Sequence, residues 1–411
     1  MKVSVIIPTR DRMNFLRQAL DSVLGQTYRN FEIIVIDNGS VDGTPELLRS
    51  LRHCLTADRE EASGKSRALN RAMQHVSGEA VLVLDDDDLL PADSLANHVA
   101  ALDASPEAGF SYGRFVRFEG GGSEILRGVW NHEQMEAVPS DDPRRTVIKL
   151  MEHCFLPHPT WMARRGALEH AGPYDVERLR SQDYDMVLRL ARQSDGVFVD
   201  AVTLLQRQHA QARVGAVQSV GSNDVARAWS HHDRIIFETL ARTWSLDDFR
   251  PFATPLRDDR SYRLALLQKG VILFQRRCFT EAIDTLHSYC RSTAAAPAAR
   301  MERAIASRLF ARQIAPELLG TTELARNVSR ELRKLDWPHA IARDIAQGAR
   351  WHIRRALLRG EIRFAMAATR FLTASFGASP TLFGVSARHS LPSLTNPFPD
   401  APPLACHHPG A

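Results

Sequence analysis

The chain predicts an α/β protein whose first half is a parallel sheet wrapped by helices and whose second half is mostly α-helical. Three observations carry this. Short, β-branched apolar runs such as Val3-Ser4-Val5-Ile6-Ile7 alternate with amphipathic stretches over the first 84 residues. Strands apolar throughout, rather than alternating, are buried on both faces, as in parallel sheets covered by helices. Beyond residue 223 the strand pattern stops and apolar residues recur at helical spacing. The expected division is a sheet domain over 1–214, a helical extension over 223–375, and a disordered, Pro-rich tail over 391–411.

Val3–Ile7 reads as a strand ended by Pro8. Phe15, Leu16, Ala19, Leu20, Val23 and Leu24 then mark a helix over 14–24. Phe31–Ile36 is a second buried strand, stopped by Asp37-Asn38-Gly39-Ser40. Thr44 is placed to cap the next helix, with Pro45 at its first position. Ala68, Leu69, Ala72, Met73 and Val76 mark a third helix, and Ala80–Leu84 a third strand. Phe110, Tyr112, Val116 and Phe118 predict a strand with one wet face, ended by Gly120-Gly121-Gly122. A helix over 183–192 and a strand over 198–205 close the first domain. A polar Gly/Ser stretch at 214–223 marks the boundary.

In the second half, Leu266-Leu267-x-x-Gly270-x-x-Leu273 followed by Phe279-x-Glu281-Ala282-Ile283 resembles a single tetratricopeptide repeat. There is no second copy, and one repeat cannot bury its own face, so an ordinary helical hairpin is expected. Arg350–Phe371 carries Arg354, Arg355, Arg359, Arg363 and Arg370 among apolar residues. That pattern suits either a membrane-surface helix or a solvated basic face.

The 411 residues carry a net charge of +4, too little to argue for nucleic acid. From 300 to 370 there are fifteen basic against seven acidic residues, so the remainder is net acidic. The five cysteines are odd in number and lack metal-site spacing, as expected in a reducing compartment. No signal-peptide pattern opens the chain, and no apolar run reaches bilayer-spanning length. A cytoplasmic protein is expected, with peripheral contact at the inner face of the cell membrane as the reading that suits the basic half.

Asp85-Asp86-Asp87-Asp88 directly follows the apolar run Ala80–Leu84. Four carboxylates at a strand's mouth repel one another unless a cation sits among them. A hard divalent ion, Mg²⁺ or Mn²⁺, takes oxygen ligands of this kind. Strand ends are also where open α/β sheets place ligands.

The series Ser4–Arg10, Gln26-Thr27-Tyr28-x-x-Phe31-Glu32-Ile33-Ile34-Val35-Ile36-Asp37, Asn38-Gly39-Ser40-x-Asp42-Gly43-Thr44, Gly64-Lys65-Ser66-Arg67-Ala68-Leu69-Asn70, Gly78-Glu79, the aspartate run with Pro91, and Gln182-Asp183-Tyr184-Asp185 resembles glycosyltransferase family 2. The resemblance covers residues 1–214. It implies the GT-A fold and transfer of a sugar, with inversion, from a nucleoside diphosphate to a glycan, lipid-linked glycan or protein acceptor. A UDP-sugar is the expected donor. The resemblance implies donor contacts from Pro8, Thr9, Arg10, Asp37, Asn38, Lys65, Asp85 and Asp86. It implies metal ligation by Asp85, Asp87 and His209, with the register inside the aspartate run left open and Asp88 as a supporting or capping group. It implies Asp183 as the catalytic base. The family usually has Glu where Gln182 stands; with one negative charge fewer beside it, Asp183 is expected to have a lowered pKa. His158, between Pro157 and Pro159, is expected to be structural. Two other classes stay open: a sugar-nucleotide nucleotidyltransferase, whose Gly-rich basic first loop is missing here, and a non-catalytic scaffold.

Overall fold

A seven-stranded sheet organises the N-terminal half of the computed structural model, which describes residues 1–118, 143–152, 156–207, 222–251, 256–292, 300–310, 318–319 and 322–377. Its strands are β1 Val3–Thr9, β2 Phe31–Asp37, β3 Thr56–Arg59, β4 Ala80–Val83, β5 Ala108–Phe118, β6 Trp161–Arg164 and β7 Asp195–Arg207, in the order β3-β2-β1-β4-β6-β5-β7. β6 pairs antiparallel with β4 and β5; the remaining pairings are parallel. The chain runs outward from β1 through β2 to β3, then returns to the other side of β1 with β4. This reversal leaves a crevice beyond the carboxyl ends of β1 and β4, where ligands bind in open α/β sheets.

Alternate residues of the central strands serve two cores. Val3, Val5, Ile7, Ile33, Val35 and Leu82 pack with Leu16, Leu20 and Val23 of α1 (Met13–Leu24). Ile6, Ile34, Ile36, Val81 and Val83 face the opposite way, against Ala68, Leu69 and Ala72 of α3 (Lys65–Met73) and Val187 and Leu190 of α7 (Gln182–Gln193). α2 (Thr44–Ser50) and α4 (Ser94–Ala104) cover the first face, while α5 (Pro143–Glu152) and α6 (Arg165–Ala171) belong to the second. That second core continues without a break into the helical half, through Phe237, Leu267, Phe274, Phe310 and Phe371. Each such side chain contributes about 1.5–3 kcal/mol on burial.

The helical half comprises α8 (Ser222–Thr243), α9 (Asp259–Gln275), α10 (Phe279–Ser292), α11 (Arg300–Ala306), α12 (Glu323–Arg333), α13 (His339–Gly348), α14 (Arg350–Leu358) and α15 (Ile362–Phe376). The predicted hairpin is α9 against α10. Gly270 makes it close: a Cβ there would lie 2.6 Å from Leu286 Cδ2. Asp258 starts α9 by accepting from the Ser261 N–H at 2.7 Å.

Several local expectations are corrected. Thr44 is the first helical residue, not the cap; Asp42 accepts from its N–H at 2.9 Å and from the Met13 N–H at 3.0 Å, so it serves two helices. β5 has no wet face: nearly all its residues are buried, Phe110 and Tyr112 in one core and Ala108 and Phe115 in the other. The single helix expected over 350–371 is two, broken at Gly360, whose φ of +74° suits glycine. Strands β3 and β6 are additions to the expected set. The Gly120–Gly122 stop, most of the 214–223 boundary and the 391–411 tail lie outside the described residues.

At the sheet edge opposite the crevice, Glu32 accepts from Lys2 Nζ at 2.6 Å, Ser77 Oγ at 2.6 Å and the Ser77 N–H at 2.8 Å. Burial alone would raise its pKa; the hydrogen bonds from Lys2, Ser4 and Ser77 outweigh it and hold the carboxyl at about 2. A depressed folded-state pKa contributes stability above the unfolded value of 4.5, lost as pH falls toward 2. Glu32→Gln is therefore expected to lose about 2 kcal/mol at neutral pH and to flatten the acid limb of stability between those values, read by urea melts across pH.

Candidate active site

The carboxyl ends of β1, β2 and β4 lie side by side, and β2 and β4 each deliver an acidic element there. Thr9 and Asp37 are register partners at the ends of β1 and β2. The Leu84 N–H still donates to the Ile6 carbonyl at 2.9 Å, so the aspartate run begins one residue beyond the sheet, beside Pro8 and Thr9.

Asp37 is buried, accepting from the Ser40 N–H at 2.8 Å and from Arg59 Nη1 at 3.3 Å. The Ser40 hydroxyl accepts from the Asp11 N–H at 2.9 Å, and Asp11 accepts from the Val41 N–H at 2.7 Å. The loops after β1 and β2 are thus tied together, with Asp11 held at a left-handed φ of 52°. Pro8 is buried in β1, while Arg10 is exposed and donates to Ser63 Oγ at 3.0 Å. Asn38 is committed to the fold. Its amide donates to the Glu60 and Ala62 carbonyls at 3.0 and 2.8 Å and accepts from the Gly64 N–H at 2.9 Å. It therefore fixes the loop that presents Lys65 at the start of α3, instead of offering its amide freely to a nucleotide.

The four aspartates separate by role. Asp86 turns inward, accepting from Thr9 Oγ1 at 2.8 Å and Arg12 Nη1 at 3.0 Å. Burial, tempered by Arg12 and reinforced by Asp87, raises its pKa to about 6. Asp85 pairs with Lys65 Nζ. Asp87 pairs with Arg12 Nη1 at 2.8 Å. Asp88 accepts from the Arg207 N–H at 2.8 Å, and Arg207 Nε donates to the Asp87 carbonyl at 2.9 Å. Arg207 is buried between Phe118 and Phe15, 4.6 and 5.1 Å from their ring centroids.

Charge repulsion in the run is thus met in part by the chain's own Arg12, Lys65 and Arg207. The case for a metal rests instead on the donor set. Oxygens of Asp85, Asp87 and Asp88 lie within 4.8 Å of one another, an all-carboxylate group of the kind hard cations prefer. Asp86 is not in that group, and Asp88 joins it. His209 lies outside the described residues, two positions beyond Arg207.

Asp183 sits in the first turn of α7, half-buried, its carboxylate accepting from the Tyr184 N–H at 2.9 Å. Its pKa is raised, contrary to the lowering expected from Gln182. Burial is the larger influence; Lys65 pulls the value down and Asp85 pushes it up. Lys65 and Asp85 thus lie near enough to Asp183 for their charges to act on its carboxyl. His158 is structural, as expected: it is buried, stacks on Trp161 at 4.8 Å and pairs with Tyr174 Oη at 2.8 Å. Burial pushes its pKa down to about 3, so it is neutral.

The sequence does not point to Arg276, at the end of α9. Its guanidinium donates to the Met151 carbonyl at 2.8 Å, Tyr184 Oη at 2.7 Å and Asp233 Oδ2 at 3.3 Å. Asp233 in turn accepts from Ser181 Oγ at 3.0 Å, where the chain enters α7 with a left-handed φ of 58°. The helical half therefore grips the turn that carries Asp183. Arg276→Ala leaves Asp233 and two acceptors without this partner, and a loss of about 3 kcal/mol is expected in urea unfolding.

Comparison with known proteins agrees with this geometry. The Glycosyl transferase family 2 model matches residues 4–172. Glycosyltransferase GlyA of Streptococcus pneumoniae serotype 4 is 36% identical over 95 residues, 22% of this chain and 14% of that protein. An uncharacterized glycosyltransferase of Nostoc sp. is 26% identical over 186 residues, 44% of this chain and 56% of that protein. The chain thus spans less than two thirds of these relatives' lengths. The crystal structure of S. aureus TarS 1-349 in complex with UDP-GlcNAc superimposes with a TM-score of 0.51 at 15% identity, covering 75% of this chain and 85% of that one. Residues 4–172 are a glycosyl transferase family 2 domain, and the sheet that carries them has the GT-A fold.

Proposed function

We propose that the protein is an inverting, metal-dependent glycosyltransferase that moves a sugar from a nucleoside diphosphate, UDP by preference, to a hydroxyl of a glycan, lipid-linked glycan or protein acceptor in bacterial surface polysaccharide or glycoconjugate synthesis. The observation that carries this reading is the grouping of Asp37, Lys65 and Asp85–Asp88 at the carboxyl ends of β2 and β4, with Asp183 within electrostatic reach of Lys65 and Asp85.

Asp37 and Thr9 line the base and ribose end. The Asp37 carboxylate accepts a base N–H or a ribose hydroxyl. Lys65 and the first N–H groups of α3 face the diphosphate. Asp85, Asp87 and Asp88 hold Mg²⁺ or Mn²⁺, which when bound supplies Lewis-acid stabilisation of the leaving diphosphate. Asp86 and Arg12 brace that loop from behind. Asp183 takes the proton of the acceptor hydroxyl as its oxygen bonds to the anomeric carbon and the bond from that carbon to the diphosphate oxygen breaks. Attack from the face opposite the leaving group inverts the anomeric centre. The raised pKa of Asp183 makes it a better proton acceptor than an ordinary aspartate, and Lys65 opposes that rise.

The test is nucleotide release from a panel of UDP- and GDP-sugars with Mn²⁺, with water or bacterial glycans as acceptor. Asp183-dependent release of UDP from one or a few donors supports the reading. Absence of turnover across the panel, with nucleotide binding intact, supports a binding protein on a transferase fold instead.

A further inference from the structure

The helical half carries a second feature, none of whose lining residues belongs to the carboxylate site. Between α12 and α15 runs a groove of about 640 Å³ lined by Arg326, Arg330, Arg333, Arg363 and Arg370 together with Met366, and among the described residues no acidic side chain lines it. Among the described residues, Arg330, Arg333, Arg363 and Arg370 make no ion pair. The surroundings are basic too: eleven basic against five acidic residues lie between 323 and 376.

The turn that ends α14 leads directly into α15, which forms one wall of the groove. Leu358 is 80% exposed, Ile362 60% and Met366 51%. Ile362, Met366 and Arg370 recur at intervals of four, so they share one side of α15. The Glu361 N–H donates to the Ala356 carbonyl at 2.9 Å, which holds the turn closed and its aliphatic side chains outward. Trp351, whose ring carries Arg355 at 5.0 Å, is also exposed on α14. Among the described residues no helix is long and apolar enough to cross a membrane.

We propose that this face docks on an anionic lipid bilayer, with the arginine groove taking lipid phosphates and Leu358 and Ile362 entering the interface. A soluble polyanion would account for the arginines but not for bare aliphatic side chains at the adjoining turn. An apolar protein partner would account for the aliphatics but not for a groove with five guanidinium groups. Basic residues with aliphatic side chains on a shared face are what an interfacial surface needs. Each basic residue close to an anionic membrane strengthens binding roughly fivefold. The inference is independent of the proposed chemistry, since it concerns other residues and another ligand.

The test is sedimentation of the full chain with vesicles of phosphatidylcholine alone, and with vesicles of equal phosphatidylcholine and phosphatidylglycerol. Binding at least about tenfold stronger to the anionic vesicles, weakening as salt rises, is expected. Arg330→Glu/Arg363→Glu/Arg370→Glu should cut it about a hundredfold. Leu358→Ser/Ile362→Ser should weaken binding while leaving the salt dependence in place. Circular dichroism melts confirm that each variant is folded. Equal binding to both vesicle types, no binding to either, or anionic binding unchanged in both folded variants overturns the proposal. Binding of inorganic polyphosphate without vesicle binding overturns it in favour of a soluble polyanion.

Discussion

Replacing Asp183 with Asn is expected to lower sugar transfer by about 10²–10⁴-fold while nucleotide affinity stays within a factor of about three. The variant keeps shape and volume but removes the only property the proposed mechanism asks of this residue, a carboxylate able to take a proton. Asp183 contacts no part of the nucleotide in that mechanism, so the loss falls on kcat. Its pH behaviour carries a further signature. Burial raises the pKa, so the base is protonated, and transfer lost, as pH falls through a value above the ordinary aspartate range. Lys65 opposes that rise, so Lys65→Met should move the acid limb of the kcat profile to still higher pH, besides weakening nucleotide binding. An acid limb that does not move would separate Lys65 from the base.

The second large effect is expected at Asp87. Asp87→Ala removes one of the three grouped carboxylates and also one of the two acidic partners of Arg12. Two consequences follow, and they are separable. Metal-dependent nucleotide binding should fall by at least about a hundredfold, because a hard cation left with fewer carboxylates binds weakly. Stability should change little, since Arg12 keeps Asp86 and the repulsion within the run is relieved. Asp86→Ala should do the reverse. It leaves the grouped carboxylates intact but strips Thr9 and Arg12 of a buried partner, so it should destabilise the fold more than it weakens metal binding.

Much of this is readable from the chain because the informative residues are local. The runs that form β1, β2 and β4 are apolar on both faces, and each ends in the polar residues that line the crevice. Strand β3, Thr56–Arg59, is hidden in the sequence because it is a short, largely exposed edge strand with no apolar pattern to detect. β6 is only four residues long and runs against its neighbours, which no periodicity encodes. β5 looks one-sided because its Arg and Gly positions read as polar, yet its side chains enter the cores on both faces of the sheet. The site follows the same division. The aspartate run, Lys65 and Asp183 stand out in sequence, whereas the arginines that support the run and the turn before α7 do not. Arg207 meets Asp87 across 120 positions and Arg276 meets Tyr184 across 92, so nothing near either arginine foretells its partner. The lowered pKa expected for Asp183 fails for a related reason. It counts charges along the chain, while burial by distant elements decides the sign.

Calorimetric titration of UDP and GDP into the wild-type protein and Asp87→Ala, each with and without Mn²⁺, tests the central claim most directly. The account predicts UDP binding that depends on Mn²⁺, is stronger than GDP binding, and is lost in Asp87→Ala although the variant remains folded. Nucleotide binding that ignores both the metal and Asp87, or no nucleotide binding at all, would contradict it.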